Sequence, residues 1–363
     1  MKLSFSIIAL ILGLISSSAA TGLSESIRSA VDQFVTRAEL DQETPGIAIL
    51  VSNSRNGKIV YQRYVGMADL KAKTSIGPDT PFRLGSVSKP ITAAAIQHCQ
   101  EHGILQIQDF AQRILPTLSH EGLTIHHLLT HSAGLQEYTG FQFLRSKSTN
   151  AEIVKYLEGK RLLFEPGSER RYSNSGYAML ASSIEAASGM SFAAYLQQHF
   201  FAPLAMDNTS VPGLGWKSVP GRAVGYNRIL WQYLEDDEDF LNGIVGDKGV
   251  YSSVSDLDKW MTAYFGHQLV SRESVEQALQ PQAIDAEPFR YGYGWTIERI
   301  AGQKLAWHNG CWVGFDTFVG RVVPRETNIL LLSNAGLDTR DHDVTKLGFA
   351  VAARIAAQRS RPK

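Results

Sequence analysis

Residues 82–96 read FRLGSVSKPITAAAI, which sets Ser86 three positions ahead of Lys89 at the head of an alanine-rich run. The run predicts a helix. Side chains at i and i+3 share a helix face, with Cβ atoms about 5–6 Å apart, so Lys89 can reach the Ser86 hydroxyl. That hydroxyl is a weak nucleophile until a base removes its proton. A helix start aims free N–H groups and a positive dipole end at the serine, which favours an oxyanion and depresses the lysine's pKa. Pro90 falls in the first turn, where a missing N–H matters least, yet it pushes Lys89 from ideal helical angles. An irregular first turn is expected. The spacing alone does not decide, because Ser360 and Lys363 repeat it in a polar tail. An ordinary capped helix with a solvated lysine has the same pattern.

The flanking segments frame this run. Residues 22–40 place Ile27, Val31, Phe34, Val35 and Ala38 on one helical face. GIAILVSNSRNGKIVYQRYVG then predicts a hairpin. Near the other end, KLAWHNG, FDTFVGRVVP and TNILLLSNAG predict three strands, and DVTKLGFAVAARIAAQ a closing helix. Between them lie helix-like segments such as AEIVKYLEGK, SGYAMLASSIEAAS and SVSDLDKWMTAYF. The pattern predicts an α/β (α+β) domain over residues 21–363. Its sheet part takes about 21–90 and 289–363, and its helical part about 91–288. The junction between the two parts is a usual place for a site.

Two further motifs carry chemistry. Tyr172-Ser173-Asn174 stands in a turn ahead of a helix. A tyrosine beside a lysine can lose its phenolic proton near neutral pH and act as base or acid. Asn174 can donate to a substrate carbonyl and bond the lysine. The plainer reading is a capping turn with Tyr172 packed as core. His308-Asn309-Gly310 stands on or at the end of a strand, where glycine would let substrate backbone lie alongside and the next N–H complete an oxyanion hole. His120-Glu121-Gly122 has the same pattern by accident.

Taken together, S-x-x-K, Y-x-N and H-x-G, in that order, resemble the serine β-lactamase and penicillin-recognising family. The similarity is to its class C-like branch, which includes D-alanyl-D-alanine carboxypeptidases, D-aminopeptidases and β-lactamase-like esterases. TPFRLGSVSKPITA, LTIHHLLTHSAGL, FEPGSERRYSNSGYAML, GDKGVYSSVSDLDKW and YGYGW extend the likeness over about residues 25–355. The resemblance implies an antiparallel sheet with flanking N- and C-terminal helices and a mostly helical subdomain, the site between them. It implies that Ser86 is acylated and that Lys89 is its base or proton relay. Tyr172 would shuttle a proton to the leaving group and activate the deacylating water. Asn174 and His308 would orient substrate and tune Tyr172. The backbone N–H groups of Ser86 and Cys311, the latter beside Gly310, would form the oxyanion hole. No metal or organic cofactor is implied. The implied substrate is a small molecule or peptide, and the expected state is a monomer.

The likeness has one departure. Class C β-lactamases carry a lysine where His308 stands, a fixed charge that holds a substrate carboxylate. Histidine is neutral for much of the range above about 6.5, which moves weight from β-lactamase towards peptidase or esterase. Three readings follow: a serine hydrolase of small esters, amides or D-amino-acid peptides, a true β-lactamase, or a non-catalytic penicillin- or peptide-binding protein.

With Cys311 placed at the site, Cys99 is expected about 20 Å along the helix from Ser86. That is too far for a disulfide, so two free thiols are expected, Cys311 giving its N–H rather than acting as nucleophile. His126, His127 and His131 are expected to be structural. Trp216, Tyr226, Trp231 and Tyr233 should rim the pocket, chiefly as packing. The acidic run at 235–239 is expected to be a solvated loop.

Composition excludes little except partners. The 363 residues carry no formal net charge, so no basic field draws the chain to nucleic acid. The start, MKLSFSIIALILGLISSSAATG, has one early lysine, a short apolar run and small residues at Ser18 and Ala20. It reads as a secretory signal peptide over 1–20, since a membrane anchor needs about 20 apolar residues. A secreted or periplasmic protein without a membrane anchor after cleavage is expected.

Overall fold

The computed structural model describes residues 22–118, 120–139, 148–281, 290–336 and 343–358. The expected signal segment and Ser360 lie outside them. Helix α1 (22–37) buries Ile27, Val31, Phe34 and Val35, the face that the periodicity predicts. Strands β1 (Ile47–Asn53) and β2 (Lys58–Val65) form the expected hairpin. Short strands β3 (Met67–Asp69), β4 (Thr74–Ser75) and β5 (Phe82–Arg83) lead to α2 (Ser88–Glu101). The inserted span then supplies α3 (Ala111–Ile114), α4 (Ile125–Leu129), α5 (Asn150–Leu157), α6 (Asn174–Ser188) and α7 (Phe192–Leu196). A hairpin, β6 (Tyr226–Ile229) and β7 (Gln232–Glu235), interrupts the helices, followed by β8 (Tyr251–Ser252), α8 (Val254–Phe265) and α9 (Arg272–Ala278). The chain returns through β9 (Arg290–Tyr291), β10 (Thr296–Ile300), β11 (Gln303–Trp312), β12 (Phe315–Val322) and β13 (Thr327–Ser333), then α10 (Val344–Ala356).

Seven strands form one sheet in the order β2-β1-β13-β12-β11-β10-β9, each neighbouring pair antiparallel. The runs IAILV and ILLL are apolar at every position because both faces of the sheet are covered. Ile47, Ile49, Val51, Ile329 and Leu331 pack with α1 and α10. Ala48, Leu50, Leu330 and Leu332 point the other way, into the core shared with the inserted helices. Each such side chain contributes roughly 1.5–3 kcal/mol when fully buried. Helix α8, although it lies in the inserted span, packs against β1 and β13 and helps cover that second face.

Glycines let the backbones around Ser86 close up. A Cβ on Gly310 of β11 would lie 2.0 Å from the Leu84 carbonyl oxygen, and one on Gly85 3.0 Å from the Cys311 nitrogen. Gly85 also holds a left-handed φ of +54°, which a side chain would strain.

Candidate active site

Ser86 lies in a 3₁₀ turn, Gly85–Val87, that runs directly into α2. This is the irregular start that Pro90 predicts. Lys89, one turn on, is fully buried, so the solvated-lysine alternative does not hold. Its Nζ lies 3.0 Å from Ser86 Oγ, 2.8 Å from Asn174 Oδ1 and 3.0 Å from the Asp247 carbonyl oxygen. An ammonium has three donors, and here all three have acceptors. Burial pulls the Lys89 pKa down to about 8, against the opposing pull of the Asp247 and Glu137 carboxylates. When the group is neutral it keeps two N–H bonds. Asn174 Oδ1 and the Asp247 carbonyl can only accept, so the lone pair is left facing the Ser86 hydroxyl.

Tyr172 stands over this pair, with Lys89 Nζ 4.7 Å from its ring centroid. Ser173 caps α6 by accepting from the Gly176 N–H, so the capping reading and the site reading hold together. The expected loss of the phenolic proton near neutral pH is corrected here. Although 41% of the residue is exposed, desolvation of the phenol raises the Tyr172 pKa, hydrogen bonding with Ser86 partly offsets this, and the Asp247 and Glu137 carboxylates add to it. At rest the phenol keeps its proton.

His308 stands on β11, enclosed by protein. It is 3% exposed, with Nδ1 2.6 Å from the Asn309 carbonyl oxygen and Nε2 3.2 Å from the Tyr291 hydroxyl. Nδ1 therefore carries the proton and donates. Burial, with Lys89 nearby, pushes its pKa down to about 3, so the ring is neutral and fixed by protein partners. Its ring centroid lies 6.3 Å from that of Tyr172. The backbone pressed against the Gly310 Cα is Leu84–Ser86. That contact brings the Ser86 and Cys311 N–H groups together, since a Cβ on Gly310 would be 3.0 Å from Ser86 N.

Both cysteines are free thiols. Cys311 is exposed, but desolvation of its sulfur, with Asp316 and Asp236 nearby, pushes the thiol up to about 11. A protonated thiol is a poor nucleophile.

Several participants carry no motif of their own. His131 accepts from the Ser173 N–H through Nδ1 and from the Arg171 N–H through its carbonyl, clamping Tyr172 from below. Its ring lies 4.4 Å from that of Tyr172. His126 bonds the Tyr293 hydroxyl, and His127 closes the capping box of α4. Glu137 accepts from the Asn174 N–H at 3.0 Å. Asp247 accepts from the Tyr138 hydroxyl at 2.5 Å and from Lys248 at 3.3 Å. Gly294, in YGYGW, lets its loop rest on the first turn of α2, where a Cβ would meet the Lys89 carbonyl at 3.0 Å.

The rim also departs from expectation. Trp216 and Tyr226 are buried as packing, but Trp231 is 86% exposed. The acidic run is not simply solvated. Asp237 is buried and paired with Arg222 at 2.8 Å, Asp236 accepts from the Asn227 side chain, and Glu238 pairs with Lys217.

A serine bonded to a buried lysine of lowered pKa, at the junction of an antiparallel sheet and a helical layer, defines a serine hydrolase of the β-lactamase fold. The family model described as Beta-lactamase matches residues 27–353, and the chain belongs to that family. Penicillin-binding protein 4* of Bacillus subtilis (strain 168) is 34% identical over 305 residues, 79% of this chain and 68% of that protein. The D-aminopeptidase of Brucella canis is 27% identical over 311 residues, and the match spans 55% of that longer protein. The solved D-amino acid amidase of Ochrobactrum anthropi SV3 superposes with a TM-score of 0.78 at 21% identity, over 92% of this chain and 98% of that one. This last is a likeness of fold.

Proposed function

We propose that this hydrolase is secreted and forms an acyl-enzyme on Ser86, cleaving a small ester, amide or D-amino-acid peptide bond. The observation that carries the reading is the buried Lys89, 3.0 Å from Ser86 Oγ and drawn down to about 8. Neutral Lys89 takes the Ser86 proton as the oxygen attacks the substrate carbonyl. The Ser86 and Cys311 N–H groups receive the negative charge that develops on the carbonyl oxygen. Tyr172, protonated at rest, gives its proton to the leaving group, and the ammonium of Lys89 restores it. For deacylation the same groups run in reverse, drawing a proton from water.

The neutral, enclosed His308 favours this reading over an efficient β-lactamase, since it offers no fixed charge for a substrate carboxylate. A non-catalytic binding protein is disfavoured because Ser86, Lys89, Tyr172 and Asn174 are all present and grouped. The names of the relatives, a D-aminopeptidase and a D-amino acid amidase, fit the same bond class. The leader at 1–20 supports export, to the periplasm or medium.

The test is an intact-mass time course with a penicillin, with Ser86→Ala as control. The reading expects a long-lived adduct on the wild type alone. Hydrolysed penicillin without an adduct would identify a working β-lactamase. Intact penicillin and no adduct, with no turnover of short-chain aryl esters or D-amino-acid amides, would overturn the reading.

A further inference from the structure

One side chain outside the motifs joins the two segments that carry the N–H groups beside Ser86. Asn242 lies just beyond the acidic run and is 4% exposed. Its Oδ1 accepts from Arg83 Nη1 at 2.6 Å and from Trp312 Nε1 at 2.8 Å. Guanidinium and indole are donors only, so the oxygen of this amide must face them both. Its Nδ2 donates to the Asp237 carbonyl at 3.0 Å, and its backbone N–H to the Asp239 carbonyl at 3.1 Å. These partners fix the amide in one orientation.

Both donors sit on segments that lead to the nucleophile. Arg83, in β5, stands three residues before Ser86, and Trp312 ends β11 directly after Cys311. Each is held in turn. The Arg83 guanidinium is buried, 4.9 Å from the Trp216 ring centroid and 5.1 Å from that of Tyr251. The Trp312 ring has Lys248 Nζ 4.3 Å from its centroid. A second tie lies closer to the serine. Thr317 Oγ1 donates to the Leu84 carbonyl at 2.7 Å, with the Gly310 carbonyl 3.2 Å away.

We propose that Asn242 is a positioning residue: by binding Arg83 and Trp312 to one oxygen, it fixes the separation of the Ser86 and Cys311 N–H groups. This rests on the acyl-enzyme reading of Ser86. Oxyanion donors stabilise a developing charge only when they are held in place before it forms. The Thr317 tie and the Gly310 contact fix how closely the segments approach at Leu84. A single attachment still lets them pivot, and Asn242 supplies the second. The effect falls on charge stabilisation rather than on proton removal, because Lys89 takes other partners, Ser86, Asn174 and the Asp247 carbonyl.

The test is the rate of acylation by a penicillin over a range of concentrations, or by a short-chain aryl ester if only the ester reacts. Asn242→Ala should lower the limiting rate by about 10²-fold and leave the half-saturating concentration within about threefold. The midpoint of the rise in rate with pH should stay where it is. A loss of stability alone would move the urea midpoint and not the limiting rate of the folded protein. Trp312→Phe keeps a ring beside Lys248 but removes one donor to Asn242. It should lower the rate by about tenfold in the wild type and have no further effect beside Asn242→Ala. It also carries the test alone if Asn242→Ala does not fold. The proposal is overturned if either single variant acylates at the wild-type rate, or if the two effects simply add. A shifted pH midpoint would also overturn it, by routing the effect through Lys89. A wild type that forms no acyl-enzyme with either probe would instead remove the reading of Ser86, and this proposal with it.

Discussion

Two buried lysines meet the same aspartate from different sides. Lys89 takes the Asp247 backbone carbonyl, Asn174 and Ser86, all uncharged acceptors. Lys248 takes the Asp247 carboxylate and the Tyr138 hydroxyl, and lies 4.3 Å from the Trp312 ring centroid. Burial lowers both pKa values. What differs is the partner in direct contact. The Asp247 carboxylate in contact with Lys248 works against the effect of burial there, whereas the groups in contact with Lys89 are neutral oxygens. On the proposed function, the same residue type, with the same burial, serves as a strut in one place and as a base in the other.

The largest test breaks the comparison at Lys89. Lys89→Met should lower acylation by about 10³-fold or more, measured as the rate of adduct formation, because the Ser86 proton loses its acceptor. An acylation rate within tenfold of wild type would assign the base elsewhere. Lys248→Met should act on stability instead. Removing one partner of a buried pair leaves the Asp247 carboxylate uncompensated, at about 3–5 kcal/mol. The shift in urea midpoint reads this directly, and Lys248→Met combined with Asp247→Asn should recover part of it. If Lys248→Met lowers acylation as strongly as Lys89→Met while the midpoint stays put, the contrast between strut and base fails.

Gly310→Ala tests the support of the nucleophile rather than the base. A methyl group would meet the Leu84 carbonyl at 2.0 Å, so the turn carrying Ser86 must move. A displacement of this kind should lower the acylation rate by about 10²-fold, with adduct formation still dependent on Ser86.

The pH profile sharpens the contrast further. Acylation needs neutral Lys89, so its rate should rise about tenfold per pH unit and level off near pH 8, the value to which burial draws this group. Stability follows from the same shift. Between about 8 and the unfolded value of about 10.4 the unfolded chain binds more protons, so the penalty of burying this charge is complete below pH 8 and disappears as pH rises through that window. The stability difference between wild type and Lys89→Met should change across that window and stay constant below it. A flat rate between pH 6 and 8 would place the controlling group elsewhere.

Most of the fold was legible because its signals are local. Alternating and continuous apolar runs marked β1, β2, β11, β12 and β13, and a helical stripe marked α1. Ser86, Lys89, Tyr172 and Asn174 were legible through motif order. What escaped reading depends on contacts between distant segments. Nothing near Glu137, Tyr138 or Lys248 says that they meet behind Lys89, because the contact joins loops more than a hundred residues apart. The direction of the Tyr172 shift was not legible for a related reason: spacing shows a lysine nearby, but not the desolvation of the phenol and the two carboxylates that raise its pKa. The enclosure of His308 was not legible because a motif gives a residue's neighbours along the chain, and its partner Tyr291 comes from another strand. Trp231 escaped because composition cannot distinguish an aromatic that packs from one that is presented.

The smallest expected effect makes the same point from the other side. Ser360 and Lys363 have the spacing of Ser86 and Lys89, yet the sequence places them in a polar tail. Their spacing comes without an alanine-rich run, a Y-x-N turn or a glycine strand to supply acceptors, burial and N–H donors. A lysine in water keeps its ordinary pKa near 10.4 and cannot take a serine proton at neutral pH. Ser360→Ala should therefore leave acylation rate, urea midpoint and adduct mass unchanged, against the complete loss of adduct in Ser86→Ala. If Ser360→Ala abolished the adduct and Ser86→Ala did not, the nucleophile would lie in the tail, and the arrangement around Lys89 would be a structural network without a reaction.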